Sequence, residues 1–482
     1  MTENIKRIGV LTISGLFILA NCFALFKEFY YLPILSGGLV LVFLAIYRID
    51  WLIYLMALVT PFSILIENDK MSLGISIPSE LIMILLTLLF LVKLISEIRW
   101  EKAYWKHPIT IAIFFYLFWM LITSITSEMP LVSFKFLTSK LWFIGSSFFM
   151  LIYLIKDNPK RAITFFNLHA ISLAIVVILI TIKHAQTGFS DYGLHWIQKP
   201  YYNDHTAYGA ILAFMLPFSV SFFFLPENKN WQRTLYLILT LIFLFGLYFS
   251  FSRAAWLSAI GALGVYFLIR WRIKFSWFVL GATIIGIFFF KFSDDILYQL
   301  GKNKQDSSAT FEEHIRSIGN IRTDASNVER LNRWFAAFGM IEERPVVGWG
   351  PGTYQFNYAP FQKNKYKTII TTNFGDGGNA HSEFIGPCAE SGFIGLFSVL
   401  ALMIIVLYTG ITTLIKTKDK TLRLLTLAAT LALISYYIHG TMNNFLDTDK
   451  LSLPFWGAFA IITVISITRK QEEKNSITKQ IS

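Results

Sequence analysis

Long apolar runs alternate with short polar punctuation along most of the chain. They cover 8–26, 31–47, 50–66, 78–96, 109–126, 134–155 and 162–183, and then 206–225, 232–250, 253–270, 275–291, 391–415, 422–443 and 452–468. A helix needs about 20 apolar residues to cross the hydrocarbon core of a bilayer, and these runs are close to that length. The strands of a membrane barrel would alternate over stretches of about ten residues, whereas these runs are continuous. The pattern predicts an all-α polytopic membrane protein with about 12–14 transmembrane helices. No small-residue cleavage site follows the first run, so it is expected to be a retained span.

Composition narrows the choice further. Of 482 residues, 55% are hydrophobic, 17% aromatic and 15% charged. A water-soluble fold is excluded, and so is disorder, which needs low hydrophobicity and high charge. The net charge of +12 would suggest nucleic acid in a soluble protein. Here the basic residues fall in alternate connections: Lys6 and Arg7, Arg48, Arg99 and Lys102, Lys156 and Lys160, Lys229 and Arg233, Arg270 and Arg272, Lys416 and Lys418, and Arg469 and Lys470. Cytoplasmic loops carry such an excess. The charge therefore reads as a topology signal, with both termini in the cytoplasm and no nucleic-acid partner. Cys22 lies inside an apolar run and Cys388 near a helix start, which suggests no disulfide, metal or redox role.

The expected organisation is N-terminal transmembrane helices over 1–200, central helices over 201–291, a partly helical outward loop over 292–390, C-terminal helices over 391–470, and a tail over 471–482. The loop is about a hundred residues, and loops of that length are usually functional or disordered. Its composition is not that of a disordered segment. Residues 326–343 read as an amphipathic helix, capped by Ser326 or Asn327 and followed by Pro345, with Val328, Leu331, Phe335, Phe338 and Ile341 as its apolar stripe. Gly348, Gly350, Pro351 and Gly352 form a sharp turn, and Gly375, Gly377 and Gly378 lead into Asn379-Ala380-His381-Ser382-Glu383. A second unusual outward connection, 184–205, is rich in His, Tyr and Trp.

Several residues could carry chemistry. Arg253 stands where two apolar runs meet with almost no loop. It either snorkels to lipid headgroups or meets an anionic partner. Arg330 and Arg333 are neighbours on the loop helix, with Trp334 one turn after Arg330. Their forked donors suit phosphate oxygens, or they pair with Glu329, Glu342 and Glu343 on a solvated face. His381 can take a proton from a hydroxyl near neutral pH, with His184, His195, His205 and His439 as competitors. Asp447-Thr448-Asp449 has the look of a metal-binding triplet but reads better as a solvated turn. Asn203-Asp204-His205, and His439 with Asn443 and Asn444, either line a cavity or cap helices.

Taken in order, these pieces resemble the O-antigen ligase and polymerase superfamily of bacterial membrane glycosyltransferases. The resembling parts are Asn203-Asp204 before the eighth span, Ser252-Arg253-Ala254, Arg330 with Trp334, Arg344-Pro345-Val346-Val347-Gly348-Trp349-Gly350-Pro351-Gly352, Asn379-Ala380-His381-Ser382-Glu383-Phe384, and Ala389-Glu390-Ser391-Gly392-Phe393-Ile394-Gly395, within roughly 200–400. Ser382 is a departure, since the family usually has Asn after this His. The resemblance implies an inverting, metal-independent and cofactor-free transfer of a glycan from undecaprenyl diphosphate to an acceptor hydroxyl. It implies Arg253 and Arg330, with Arg333 as helper, on the diphosphate and His381 as general base. Asn203, His205, Trp334, Glu383 and Glu390 would line the cavity. It places the enzyme in the bacterial inner membrane with its active site facing the periplasm. Lipid A–core is the favoured acceptor, with a second repeat unit or a protein Ser or Thr as alternatives. A lipid-linked sugar flippase is a further reading, but it would place its charges near the bilayer midplane.

Overall fold

The structure, a computed structural model, describes residues 2–68, 73–96, 101–190, 193, 196–271, 325–363 and 378–481. Its helices in chain order are α1 (Thr2–Phe26), α2 (Tyr31–Tyr47), α3 (Ile49–Val59), α4 (Ser79–Ser96), the short α5 (Lys102–Trp105), α6 (Pro108–Ile125), α7 (Pro130–Ile155), α8 (Arg161–Gln186), α9 (His205–Phe223), α10 (Asn230–Tyr248) and α11 (Arg253–Arg270). They continue with α12 (Ala325–Glu343), the short α13 (Tyr354–Asn357), α14 (Ile385–Lys416), α15 (Lys420–His439) and α16 (Asp449–Ile481).

The protein is a multi-pass, all-α membrane protein. Ten of the described helices, α4, α6 to α11 and α14 to α16, are long and apolar enough to cross a membrane. Shorter apolar helices stand at the first three expected spans, over Ser14–Phe26, Tyr31–Tyr47 and Ile49–Phe62. The expected span 275–291, and residues 292–324 and 364–377 of the loop with the expected Gly375 and Gly377, lie outside the described residues. Side chains such as Leu241, Phe245, Leu263 and Ile404 are apolar and exposed, as the lipid face of a bundle requires.

One expected span needs correction. The run 50–66 ends as a helix near Phe62, and its last residues enter an antiparallel hairpin, β1 (Ile64–Asn68) with β2 (Leu73–Ile77), with Ile64 opposite Ile77. The reason is local. Pro61 sits in a single 3-10 turn, the Ser63 hydroxyl donates back to the Thr60 carbonyl at 2.7 Å, and the chain leaves extended. Hydropathy alone does not separate a short β-branched strand from the end of a span.

Short connections make successive helices antiparallel. The start of α4, the α6–α7 turn, the end of α8, the start of α9, the α10–α11 junction and the α15–α16 link therefore gather at one end of the bundle. The start of α14 joins them, since Trp119 and Thr123 of α6 hydrogen-bond to Ser391. The opposite end carries Arg48, Lys160, Lys229, Arg270 and Lys416. Helix α16 runs through the middle, with Phe455, Trp456, Phe459 and Ile462 buried, and α15 and α9 pack beside it.

Candidate active site

The site is built on a break in α14. Gly392 has φ of +69° inside that helix, and a Cβ there would lie 1.9 Å from the Val346 carbonyl oxygen. Only glycine fits this conformation and this approach. The break frees backbone groups that the 345–350 segment uses. Trp349 N–H donates to the Ala389 carbonyl at 3.1 Å, Gly350 N–H to the Glu390 carbonyl at 2.7 Å, and Phe393 N–H to the Pro345 carbonyl at 2.8 Å. The Glu390 carboxylate accepts from Tyr354 N–H at 3.0 Å and also from the Gly352 N–H. Expected as a cavity residue, Glu390 is engaged in holding the turn after Gly350. Arg344 pairs with Glu128 at 2.5 Å and stacks on Trp349, tying the same segment to the α6–α7 turn.

Helix α12 forms over the expected stretch but begins at Ala325, so Ser326 and Asn327 lie inside it rather than capping it, and of the expected stripe Ile341 is buried while Phe338 is not. Phe338 is 47% exposed, whereas Asn332, Arg333, Ala336, Ala337 and Met340 are buried. The two alanines allow a close approach to Tyr354, Tyr358, Ala380, Cys388 and Ala389. This rotation turns Arg333 inward. Its Nε donates to Glu329 at 2.8 Å, its Nη1 donates to the Asn379 carbonyl at 3.2 Å, and its guanidinium lies over the Tyr358 ring.

Arg330, on the same helix, faces elsewhere. Burial first, and then the charge of Arg253, hold its guanidinium down to about 10, with Asp204 opposing them. Arg253 is the first residue of α11. The Ser252 hydroxyl caps that helix at Ala255 N–H, and Trp256 Nε1 donates back to the Leu247 carbonyl at 2.7 Å, closing the junction. Asp204 caps α9, accepting from Thr206 N–H at 2.7 Å and Ala207 N–H at 2.8 Å. Two further chain regions thus bring the Arg253 guanidinium and the Asp204 carboxylate each within electrostatic range of Arg330.

His381 joins them from the loop before α14. Burial, followed by Arg330 and Arg333, holds its imidazole down to about 3, while Asp204 and a hydrogen bond with Asn443 pull the other way. Asn443 is buried, and its Nδ2 lies 3.2 Å from His439 Nε2. His381 has φ of +47°, a region sparsely populated by non-glycine residues. The Asn379 side chain accepts its N–H at 3.0 Å, and Glu383 N–H donates to the Gly440 carbonyl at 2.8 Å. Ser382 caps the start of α14, accepting from Phe384 and Ile385 N–H at 3.3 Å each. Asn and Ser are both capping side chains, so the exchange at this position preserves that contact.

The family model described as O-antigen ligase matches residues 236–400. This stretch is O-antigen ligase-like. No curated protein matches the chain. The O-antigen ligase-like stretch holds Arg253, Arg330, Arg333, Trp334, His381, Glu383 and Glu390, and the kinship is to a glycosyltransferase-like membrane enzyme. Asn203, Asp204, His205, His439 and Asn443 lie outside it.

The remaining expected residues divide by environment. Trp334 is half-buried, and its indole N–H has no acceptor among the described residues. Asn203 is exposed, and His205 is half-buried at the start of α9. Glu383 accepts from Tyr436 hydroxyl, from Phe445 N–H at 2.9 Å and from Leu446 N–H at 3.0 Å. Burial raises its carboxyl against the opposing charge of Lys140. Glu383 is therefore a tie between the His381 loop and the α15–α16 link. His184 is packed among Phe189, Phe249 and Phe251, with Nε2 at 3.1 Å from the Ser190 carbonyl, and His195 lies outside the described residues. The 447–449 triplet was expected to be a solvated turn, and that is corrected for Asp449. It is 2% exposed at the start of α16 and accepts from the Ser63 and Ser79 hydroxyls. In the sequence Asn203-Asp204 resembles a family feature without a stated role for Asp204, and Asn443 reads only as a cap or lining. Each sits at a helix end far from the His381 motif, and packing alone brings them to His381.

Proposed function

We propose that the protein is a metal-independent, inverting glycosyltransferase that moves a glycan from undecaprenyl diphosphate to an acceptor hydroxyl at the periplasmic face of the bacterial inner membrane. Lipid A–core is the proposed acceptor, which makes the enzyme an O-antigen ligase. The observation that carries the reading is the grouping of Arg253, Arg330 and His381 at one end of the bundle, within the stretch that resembles this family.

The chemistry follows from the charges. The charge of Arg253 disfavours that of Arg330, and a diphosphate bound between them would relieve this repulsion. As the bond from the anomeric carbon to the phosphate oxygen breaks, its electron pair leaves with undecaprenyl diphosphate. The two guanidinium groups stabilise that developing charge. The acceptor oxygen bonds to the anomeric carbon from the opposite face, and His381 takes the acceptor's proton. Arg333 was expected on the donor, but its guanidinium is turned to Glu329 and Asn379 and is left out of the clamp.

The test is transfer by purified protein from undecaprenyl-diphosphate-linked glycan to lipid A–core, to a second carrier-linked repeat unit, or to a Ser- and Thr-containing peptide. Product on lipid A–core alone is the expected result. Product on either other acceptor reassigns the enzyme to polymerase or protein transferase. Transfer is also expected to survive EDTA, because positive charge at the leaving group comes from arginine. Loss of activity that Mn²⁺ or Mg²⁺ restores would overturn the metal-independent reading.

A further inference from the structure

Arg333 has the wrong surroundings for a donor ligand and the right ones for another task. Its side chain is 8% exposed and its counter-ion Glu329 is 5% exposed, so the pair is a locally neutral unit inside the loop fold. Nε is occupied at 2.8 Å by Glu329 and one face by the Tyr358 ring. The backbone is held as well, since the Tyr354 hydroxyl donates to the Arg333 carbonyl at 2.7 Å. What the guanidinium reaches is the loop that carries the imidazole. Nη1 donates to the Asn379 carbonyl at 3.2 Å, and the Asn379 side chain accepts the His381 N–H at 3.0 Å.

We propose that Arg333 is a positioning residue: through Asn379 it fixes the near end of the His381 loop, and it does not touch the donor. The proposal rests on His381 being the general base. A backbone at φ of +47° persists only where its surroundings over-determine it. The far end of the loop is fixed by Glu383 N–H on the Gly440 carbonyl at 2.8 Å, and Arg333 supplies the near end. Gly378 records how closely the two meet, since a Cβ there would lie 1.6 Å from Arg333 Nη1. Lysine cannot take over, because a single ammonium lacks the planar fork that serves Glu329 and Asn379 together.

The experiment avoids Arg333→Ala, which would leave Glu329 buried without its partner and endanger folding. Arg333→Lys keeps the charge and removes the fork. Gly378→Ala keeps every charged group and displaces the guanidinium. Asn379→Ala removes only the acceptor for His381 N–H, and it keeps the proposal testable should Gly378→Ala misfold. Each is measured for equilibrium binding of undecaprenyl diphosphate and for single-turnover glycan transfer, beside His381→Ala and Arg330→Ala. The expected result is transfer reduced on the order of 10²-fold, as a misplaced catalytic group gives, with donor affinity within about twofold of wild type. Gly378→Ala placed on His381→Ala should add no further loss, which general structural damage would add. Donor binding weakened by Arg333→Lys as severely as by Arg330→Ala would make Arg333 a donor ligand and overturn the proposal. Wild-type transfer in Arg333→Lys or Gly378→Ala would overturn it as well. Wild-type transfer in His381→Ala would instead remove the base assignment itself, and with it the premise of the proposal.

Discussion

An imidazole buried beside two guanidinium groups, with no anion to offset their charge, is a poor base. His381 is held down to about 3 by burial, Arg330 and Arg333, so it is neutral at physiological pH but binds a proton weakly. A bound diphosphate cancels the cationic field and makes protonation of the ring more favourable. In the proposed reaction the donor would thereby activate the base that its own transfer needs. Because kcat/KM reports the free enzyme and kcat the bound one, the acidic limb of kcat should lie at higher pH than that of kcat/KM. Coincident limbs would mean that the donor does not reach the field around His381. The groups also separate by mutation. His381→Ala is expected to lose about 10²–10⁴-fold in transfer while still binding undecaprenyl diphosphate. Arg253→Ala should lose donor affinity as well, because it meets charge already present in the ground state. Equal loss of donor binding in both variants would make His381 a phosphate contact. At this scale Arg253, Arg330 and His381 were legible because each breaks a local rule: a charge at a membrane boundary, a forked donor on an amphipathic helix, an imidazole after glycines. Asp204 and Asn443 break none. Asp204 falls in a family-like stretch and Asn443 beside a helix end, but nothing in the sequence ties either to His381 until α9 and α15 are packed together.

At the scale of elements, the existence of α12 was legible and its orientation was not. A stripe of large apolar residues marks a face for burial when hydrophobic area decides the packing. Here Ala336 and Ala337 set the approach, and an internal ion pair fills the space beside them, so Phe338 is left exposed. The hairpin at 64–77 escaped for a related reason, since Ile64, Leu65 and Ile66 are as apolar as the span they follow. The break in α14 is the element on which the loop hangs, and Glu390 is its clamp. Glu390→Gln keeps an acceptor oxygen for the Gly352 and Tyr354 N–H groups and should melt close to wild type in detergent. Glu390→Ala leaves both groups without that acceptor, at a cost of about 1–3 kcal/mol, and should melt lower. Equal destabilisation by the two variants would mean that the negative charge, not the acceptor, holds the turn.

For the whole molecule, one asymmetry decides whether the mechanism can operate at all. Arg253, Arg330 and His381 sit at the end of the bundle opposite Arg48, Lys160, Lys229, Arg270 and Lys416. Lys and Arg are retained on the cytoplasmic side during insertion, so the basic end should face the cytoplasm and the site the periplasm. A glycan carried on a lipid already flipped to the outer leaflet could then reach the two arginines, whereas one still in the inner leaflet could not. The helix count does not fix this sidedness, because a bundle with both termini on one side is equally well formed either way up. Single cysteines in a cysteine-free background, with Cys22 and Cys388 replaced, test it directly. Lys363 lies on the loop and Lys418 between α14 and α15, and both are exposed. In intact spheroplasts a membrane-impermeant maleimide should modify Lys363→Cys and leave Lys418→Cys unmodified until the membrane is opened. The reverse labelling pattern would place the arginines on the cytoplasmic side and rule out a periplasmic acceptor, whatever activity the purified protein shows.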